Sequence, residues 1–177
     1  RVMQSLSDVQ TSQGVLAVVE RSTAPLQIRD TEGFYLVLDA VSDPGNVGTL
    51  VRSAVGAGFH GVLARGATAD FYNPKTVRAA MGLFPHVALH DIDEGGLDRL
   101  AECGYEFVGA DAAGRDNIFR TRFQPKTVLC VGSEARGLSD EVRARLDRTV
   151  RIPLDAACES LNAAVAGSLC MLAGRFA

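Results

Sequence analysis

Lysine is almost missing from this chain. Of 18 basic residues only Lys75 and Lys126 are lysine, and the others are arginine. Arginine suits bidentate phosphate contacts, but a GC-rich genome gives the same bias, so the scarcity selects no partner by itself. Excess positive charge is missing too: the formal net charge is −3. That does not advertise nucleic-acid binding, although local patches rather than bulk charge decide such contacts. No apolar run reaches the length of a membrane span, and no signal peptide is visible. There is no internal repeat, no low-complexity segment and no G-x-x-x-x-G-K-[ST] phosphate loop. The four cysteines, Cys103, Cys130, Cys158 and Cys170, have no metal-ligand spacing. They are expected to be buried free thiols in a reducing, cytoplasmic setting. His86 and His90 lie in a run from Phe84 to His90 that reads as a strand, with no third ligand in view, so no metal site is expected.

What is present describes a folded domain. Apolar residues make up 47% and charged residues 22% of the 177 residues, which suits one domain with a sizeable core rather than disorder. Gly14–Val19 and Phe34–Leu38 read as strands, the second a continuous apolar run covered on both faces. Turn chemistry at Asp43-Pro44-Gly45-Asn46 leads to a helix from about Val47 to Ala57, with Asn46 as N-cap. Strands follow at Gly61–Ala64, Val87–Leu89, Tyr105–Ala110, Thr127–Val131 and Thr149–Leu154. Helices are expected at Asn73–Gly82, Leu97–Cys103, Ser139–Leu146 and roughly Ser160–Phe176, and Asp111–Gln124 reads as loop. The alternation predicts an α/β domain around a mainly parallel sheet flanked by helices.

Four stretches invite a chemical reading. Gly56-Ala57-Gly58-Phe59-His60-Gly61 matches G-x-G-x-x-G by letter. Its glycines close a helix and lead into a strand, the reverse of the dinucleotide-binding polarity, so a glycine C-cap is the better reading. Asn46-Val47-Gly48 precedes Arg52. Gly48, Arg52 and Gly56 lie on one helical line, where glycine costs roughly 1 kcal/mol each, which suggests the close approach of a backbone or a substrate. Gly132-Ser133-Glu134-Ala135-Arg136-Gly137-Leu138 leaves the end of a buried strand, where ligands bind in open α/β sheets. Ile152-Pro153-Leu154 is followed by Glu159-Ser160-Leu161-Asn162, where Ser160 is a candidate helix cap.

In their order and spacing, the last three stretches resemble the signature motifs of the SpoU-type RNA 2′-O-ribose methyltransferases of the SPOUT superfamily. The resemblance runs from Gln13-Gly14-Val15-Leu16-Ala17 to the C-terminus. It implies a SPOUT fold with a C-terminal trefoil knot, a homodimer, and S-adenosylmethionine as cofactor. It implies cofactor contacts at Gly132, Ile152 and Leu161, with Ala110, Val131 and Leu154 nearby. It implies a catalytic centre of Arg52, Asn46, Glu134, Ser160 and Asn162. The implied partner is RNA, either rRNA or tRNA, with rRNA favoured. Most such proteins carry an N-terminal RNA-binding domain, so residues 1–13 are expected to be the linker from one and residues 14–177 the catalytic domain. Many have serine where this chain has Ala164, which is expected to remove one hydroxyl from the site.

The implied chemistry suits these residue types. A ribose hydroxyl attacks a methyl group on a sulfonium, so the protein must align the two and exclude water. Arg52 is a poor base because guanidinium hardly deprotonates. A phosphate clamp that also stabilises the developing alkoxide fits it better. Two other functions compete. A nucleotide-dependent oxidoreductase would bind NAD, and the misplaced glycines argue against it. A non-catalytic RNA-binding protein keeping the fold would be expected to lose Arg52 or Asn162, and both are present.

Overall fold

The computed structural model describes residues 14, 15, 17–20 and 24–177. The expected linker at residues 1–13, and Leu16, lie outside the described residues. The strands are β1 (Gly33–Asp39), β2 (Gly61–Arg65), β3 (Ala88–Asp91), β4 (Glu106–Ala110), β5 (Asp116–Asn117), β6 (Lys126–Gly132) and β7 (Arg148–Arg151). The helices are α1 (Pro44–Gly56), α2 (Pro74–Ala79), α3 (Glu94–Glu102), α4 (Asp140–Arg143) and α5 (Ala163–Phe176). The sheet order is β3-β2-β1-β6-β4-β7-β5, and every pairing is parallel.

The two central strands show why the chain folds into three layers. Side chains of a strand alternate between faces. Phe34, Leu36 and Leu38 of β1, with Leu129 and Val131 of β6, enter one core with Leu50 and Val51 of α1 and Met171 of α5. Tyr35, Val37, Val128 and Cys130 enter the opposite core, against Leu97 and Leu100 of α3 and Val142 of α4. Both faces are covered, so both strands read as unbroken apolar runs.

The ends of α1 are set by local chemistry. The Asp43 side chain accepts from the Asn46 N–H at 2.9 Å, so Asp43, and not Asn46 as expected, is the N-cap, and Asn46 sits inside the first turn. Pro44 at the first position has no N–H to leave unpaired. At the other end Gly58 takes φ +73°, with Gly58 N bonded to Val55 O and Phe59 N to Ala54 O. That pair of bonds is a Schellman cap, which disposes of the dinucleotide reading. A Cβ at Gly48 would collide with the Thr76 carbonyl and Ala79, so the close approach at this glycine is that of α2. A Cβ at Gly56 would meet nothing. The expected line of approach on α1 is therefore filled at Gly48 by the chain itself.

Other boundaries differ for identifiable reasons. The described part of Gly14–Val19 forms no strand, and Val15, Val18 and Val19 are each more than four-fifths exposed. An apolar run becomes a strand only where a neighbour takes its backbone hydrogen bonds. Phe84–His86 is a 3₁₀ turn rather than strand, with Pro85 inside it. The loop after β4 contains β5 and a 3₁₀ turn, Ile118–Arg120. β7 stops at Arg151, ahead of Pro153, which has no N–H for a ladder. α5 begins at Ala163 with Asn162, not Ser160, as its cap.

Candidate active site

β6, β4 and β7 are adjacent, and their C-terminal ends open into one cavity of about 630 Å³. Two loops form its walls, residues 133–139 after β6 and residues 152–162 after β7. Clefts of this size at strand C-termini are the usual ligand sites of open parallel sheets. All six expected cofactor residues line it: Ala110, Val131, Gly132, Ile152, Leu154 and Leu161. Glu134 and Ser160 of the expected catalytic set line it too.

The first loop is closed by the chain's own backbone. Ser133 N donates to Gly137 O at 3.1 Å, and Gly137 N donates back to Ser133 O at 2.9 Å. Gly137 takes φ +67°, and a Cβ on Gly132 would collide with the Gly137 carbonyl. Both glycines are thus required by loop closure. The turn between them presents Glu134 at the cavity.

Asn46, Glu134 and Asn162, remote in sequence, form one hydrogen-bonded chain. The Asn162 Oδ1 accepts the Ala164 and Val165 N–H groups at 2.9 and 3.2 Å, capping α5. That fixes the amide orientation and leaves Asn162 Nδ2 to donate, which it does to Asn46 Oδ1 at 3.0 Å. Asn46 Nδ2 is left in turn to donate to Glu134 Oε1. Each orientation follows from the previous one. The helix terminus therefore aims a carboxylate into the cavity mouth through two amides.

Arg52 stands apart from this chain of bonds. It lies six residues along α1 from Asn46, about 9 Å at 1.5 Å per residue. It is exposed, makes no hydrogen bond or ion pair with a described residue, and does not line the cavity. Ala164 is buried in the core and does not line the cavity either, so the missing hydroxyl is not lost from this wall.

Several lining residues had no flag in the sequence. Asp111 follows β4 directly, a position that the strand-end rule could have marked. Its carboxylate pairs with Arg143 of α4 at 2.9 Å, and Arg143 Nε donates to Leu138 O at 3.0 Å. The Ala113 N–H and then Arg143 hold the Asp111 carboxyl below the usual carboxylate range. Nothing local in the sequence joins Asp111 to Arg143. Cys158 is exposed and lines the cavity, against the expectation of a buried thiol. Cys130 and Cys170 are buried, and burial pushes the Cys170 thiol up to about 12 and the Cys130 thiol higher still. Of the charged side chains on the walls, Asp111 is paired with Arg143, and Arg151 is held by the Gly114 and Arg115 carbonyls. Three carboxylates (Asp111, Glu134 and Glu159) against two guanidiniums (Arg143 and Arg151) leave a surplus of one negative charge on the walls, which favours a cationic ligand.

Residues 33–172 match the model of the SpoU rRNA Methylase family. The 23S rRNA (uridine(2479)-2′-O)-methyltransferase of Streptomyces viridochromogenes is 38% identical over 163 residues, covering 87% of this chain and 57% of that protein. Among solved structures, the SpoU methyltransferase AviRb from the same organism, in complex with the cofactor AdoMet, superposes with a TM-score of 0.76 at 31% identity. It covers 84% of this chain and 58% of that one. A TrmH-family protein from Porphyromonas gingivalis superposes with a TM-score of 0.87 at 32% identity, covering 98% and 70%. The chain spans a little more than half the length of the Streptomyces relative.

Proposed function

Because the chain belongs to the SpoU rRNA methylase family, we propose that it transfers a methyl group from S-adenosylmethionine to a ribose 2′-hydroxyl of structured RNA, with rRNA favoured over tRNA. The relatives' names supply that preference: several are 23S rRNA 2′-O-methyltransferases. The observation that carries the reading is the Asn162–Asn46–Glu134 chain at the mouth of a cavity built by two strand-end loops.

The cavity suits this cofactor on its own chemistry. Ala110, Val131, Ile152 and Leu154 offer an apolar slot between two loops rich in backbone polar groups, and Glu134 and Glu159 balance positive charge. When bound, S-adenosylmethionine supplies a methyl group on a sulfonium. Gly132, Ile152 and Leu161 hold it, largely through backbone. Glu134, fixed by Asn46, orients the hydrogen bonds around the ribose hydroxyl, with Ser160 and Asn162 completing the set. The loops keep water from the transfer line. Arg52, which has no hydrogen-bond or ion-pair partner among the described residues, clamps RNA phosphate and stabilises charge developing on the attacking oxygen.

The same reading includes a trefoil knot in the C-terminal third, with residues 14–177 as the catalytic domain acting in the cytoplasm on RNA. It includes a homodimer. Val165, Leu172 and Phe176 are exposed along one side of α5, at 48, 43 and 68%. Gly167 and Gly174 of the same helix are already packed against Leu50 and Phe123. The apolar stripe on α5, rather than its small residues, is the surface for a second copy.

The test is incubation of the chain with methyl-labelled S-adenosylmethionine and unmodified 23S rRNA or tRNA, then nucleoside analysis. Label recovered as a 2′-O-methylnucleoside from rRNA is the expected result. Label on a base would overturn the reaction, and label in tRNA alone would overturn the substrate.

A further inference from the structure

The strand ends beneath the cavity hold a buried charge that the chemistry above does not use. Asp39 closes β1 and is 2% exposed. In the parallel register it stands between Arg65, the last residue of β2, and Gly132, the last residue of β6. Its Oδ1 accepts from Arg65 Nη1 at 3.1 Å, and its Oδ2 accepts the Ser139 N–H at 2.6 Å. The same Arg65 Nη1 donates to Ser139 Oγ at 2.6 Å. Ser139 is the N-cap residue of α4, yet its hydroxyl makes no cap bond. Asp39 therefore meets the loop at both ends, Gly132 through the ladder and Ser139 through its side chain. None of Asp39, Arg65 and Ser139 lines the cavity.

Stability alone is a poor account of this arrangement. Buried ion pairs are often no better than packed apolar residues of similar volume. Here Arg65 Nε is also buried with no hydrogen-bond partner among the described residues. The Ser133–Gly137 bonds close the loop on itself, and Asn46 and Arg143 hold it at Glu134 and at the Leu138 carbonyl, but it packs little apolar surface against the sheet. Residues 134–137 are exposed, and Leu138 is its one deeply buried apolar side chain. A carboxylate with two acceptor oxygens can bridge a guanidinium and a backbone N–H, and so tie the loop to the sheet.

We propose that Asp39, held by Arg65, is a positioning residue that fixes the loop 133–138 as a wall of the cofactor cavity without touching the cofactor. The proposal rests on reading the cavity as an S-adenosylmethionine site.

The test uses Asp39→Ala, Asp39→Asn, Ser139→Pro and Ser139→Ala. The φ of Ser139 is −67°, the value the proline ring imposes, so Ser139→Pro deletes the N–H at little backbone cost. Ser139→Ala controls for the lost hydroxyl. Amide hydrogen exchange across residues 133–138, S-adenosylhomocysteine affinity and the thermal midpoint are measured on each. Asp39→Ala and Ser139→Pro should speed loop exchange and weaken affinity about tenfold, while amides of β1 and β6 stay protected. Asp39→Asn keeps an acceptor for Ser139, so it should recover most of the affinity without recovering the thermal midpoint. Wild-type loop exchange and affinity in Ser139→Pro would overturn the proposal even if Asp39→Ala fails to fold. So would affinity that merely follows the thermal midpoint across all variants. A wild-type chain that binds no S-adenosylhomocysteine would overturn the functional reading instead, and loop exchange would still decide the role of Asp39.

Discussion

Asn162 does two jobs with one amide. Its oxygen caps α5, and its nitrogen orients Asn46 and through it Glu134. The jobs separate by substitution, because aspartate caps a helix about as well as asparagine but has no N–H to give Asn46. Asn162→Asp should keep the thermal midpoint near wild type and lower methyl transfer about a hundredfold, the scale of losing one preorganised polar contact. Asn162→Ala should lower both, the cap costing about 1 kcal/mol. Equal transfer by Asn162→Asp and wild type would deny the relay a role. Asp111 offers a second residue-level test. Its carboxyl titrates below the ordinary range, so its contribution to stability is complete above the unfolded value of about 3.9. That contribution is lost as pH falls through the lower folded value. Asp111→Asn should therefore lower the thermal midpoint near neutrality, change little once pH is below the folded value, and so flatten the fall in acid. Thermal melts of both proteins across the acid range check this, and parallel curves would assign the acid sensitivity elsewhere.

At the scale of elements, the loop after β6 is held shut by Gly132 and Gly137, and a side chain at either position works against closure. Gly132→Ala should leave the sheet folded and weaken S-adenosylhomocysteine binding about tenfold or more, as calorimetry would measure. Unchanged affinity would mean that the loop is not a wall of the site. This is also where the sequence reads best and worst. The central strands were legible because apolar runs such as Phe34–Leu38 arise when both faces are covered. The loops were legible because glycine and polar residues follow those runs at once. No strand forms over the described part of Gly14–Val19, because composition alone does not specify which segments of an apolar chain enter the sheet. The cap of α1 moved from Asn46 to Asp43 because both residue types cap well, and only the backbone decides. The role expected for Gly48 went to α2, a packing partner 28 residues away that no local pattern announces. Asp111–Arg143 and Asp39–Arg65–Ser139 stayed hidden for the same reason, since each joins the end of a strand to α4 across a distance in sequence.

At the scale of the whole molecule, the apolar stripe of α5 is the test of assembly. Light scattering at micromolar concentration should give twice the chain mass, and Leu172→Glu should give the chain mass with the fold intact. A monomeric wild type would remove α5 as an interface. The roles given to both loops depend on what the cavity between them binds. Titration calorimetry of the wild-type chain with S-adenosylhomocysteine, and separately with NAD, measures that directly. Saturable binding of S-adenosylhomocysteine at one molecule per chain, with no heat from NAD, is the predicted result. No binding of S-adenosylhomocysteine, or binding of NAD in its place, would contradict the assignment of this cavity.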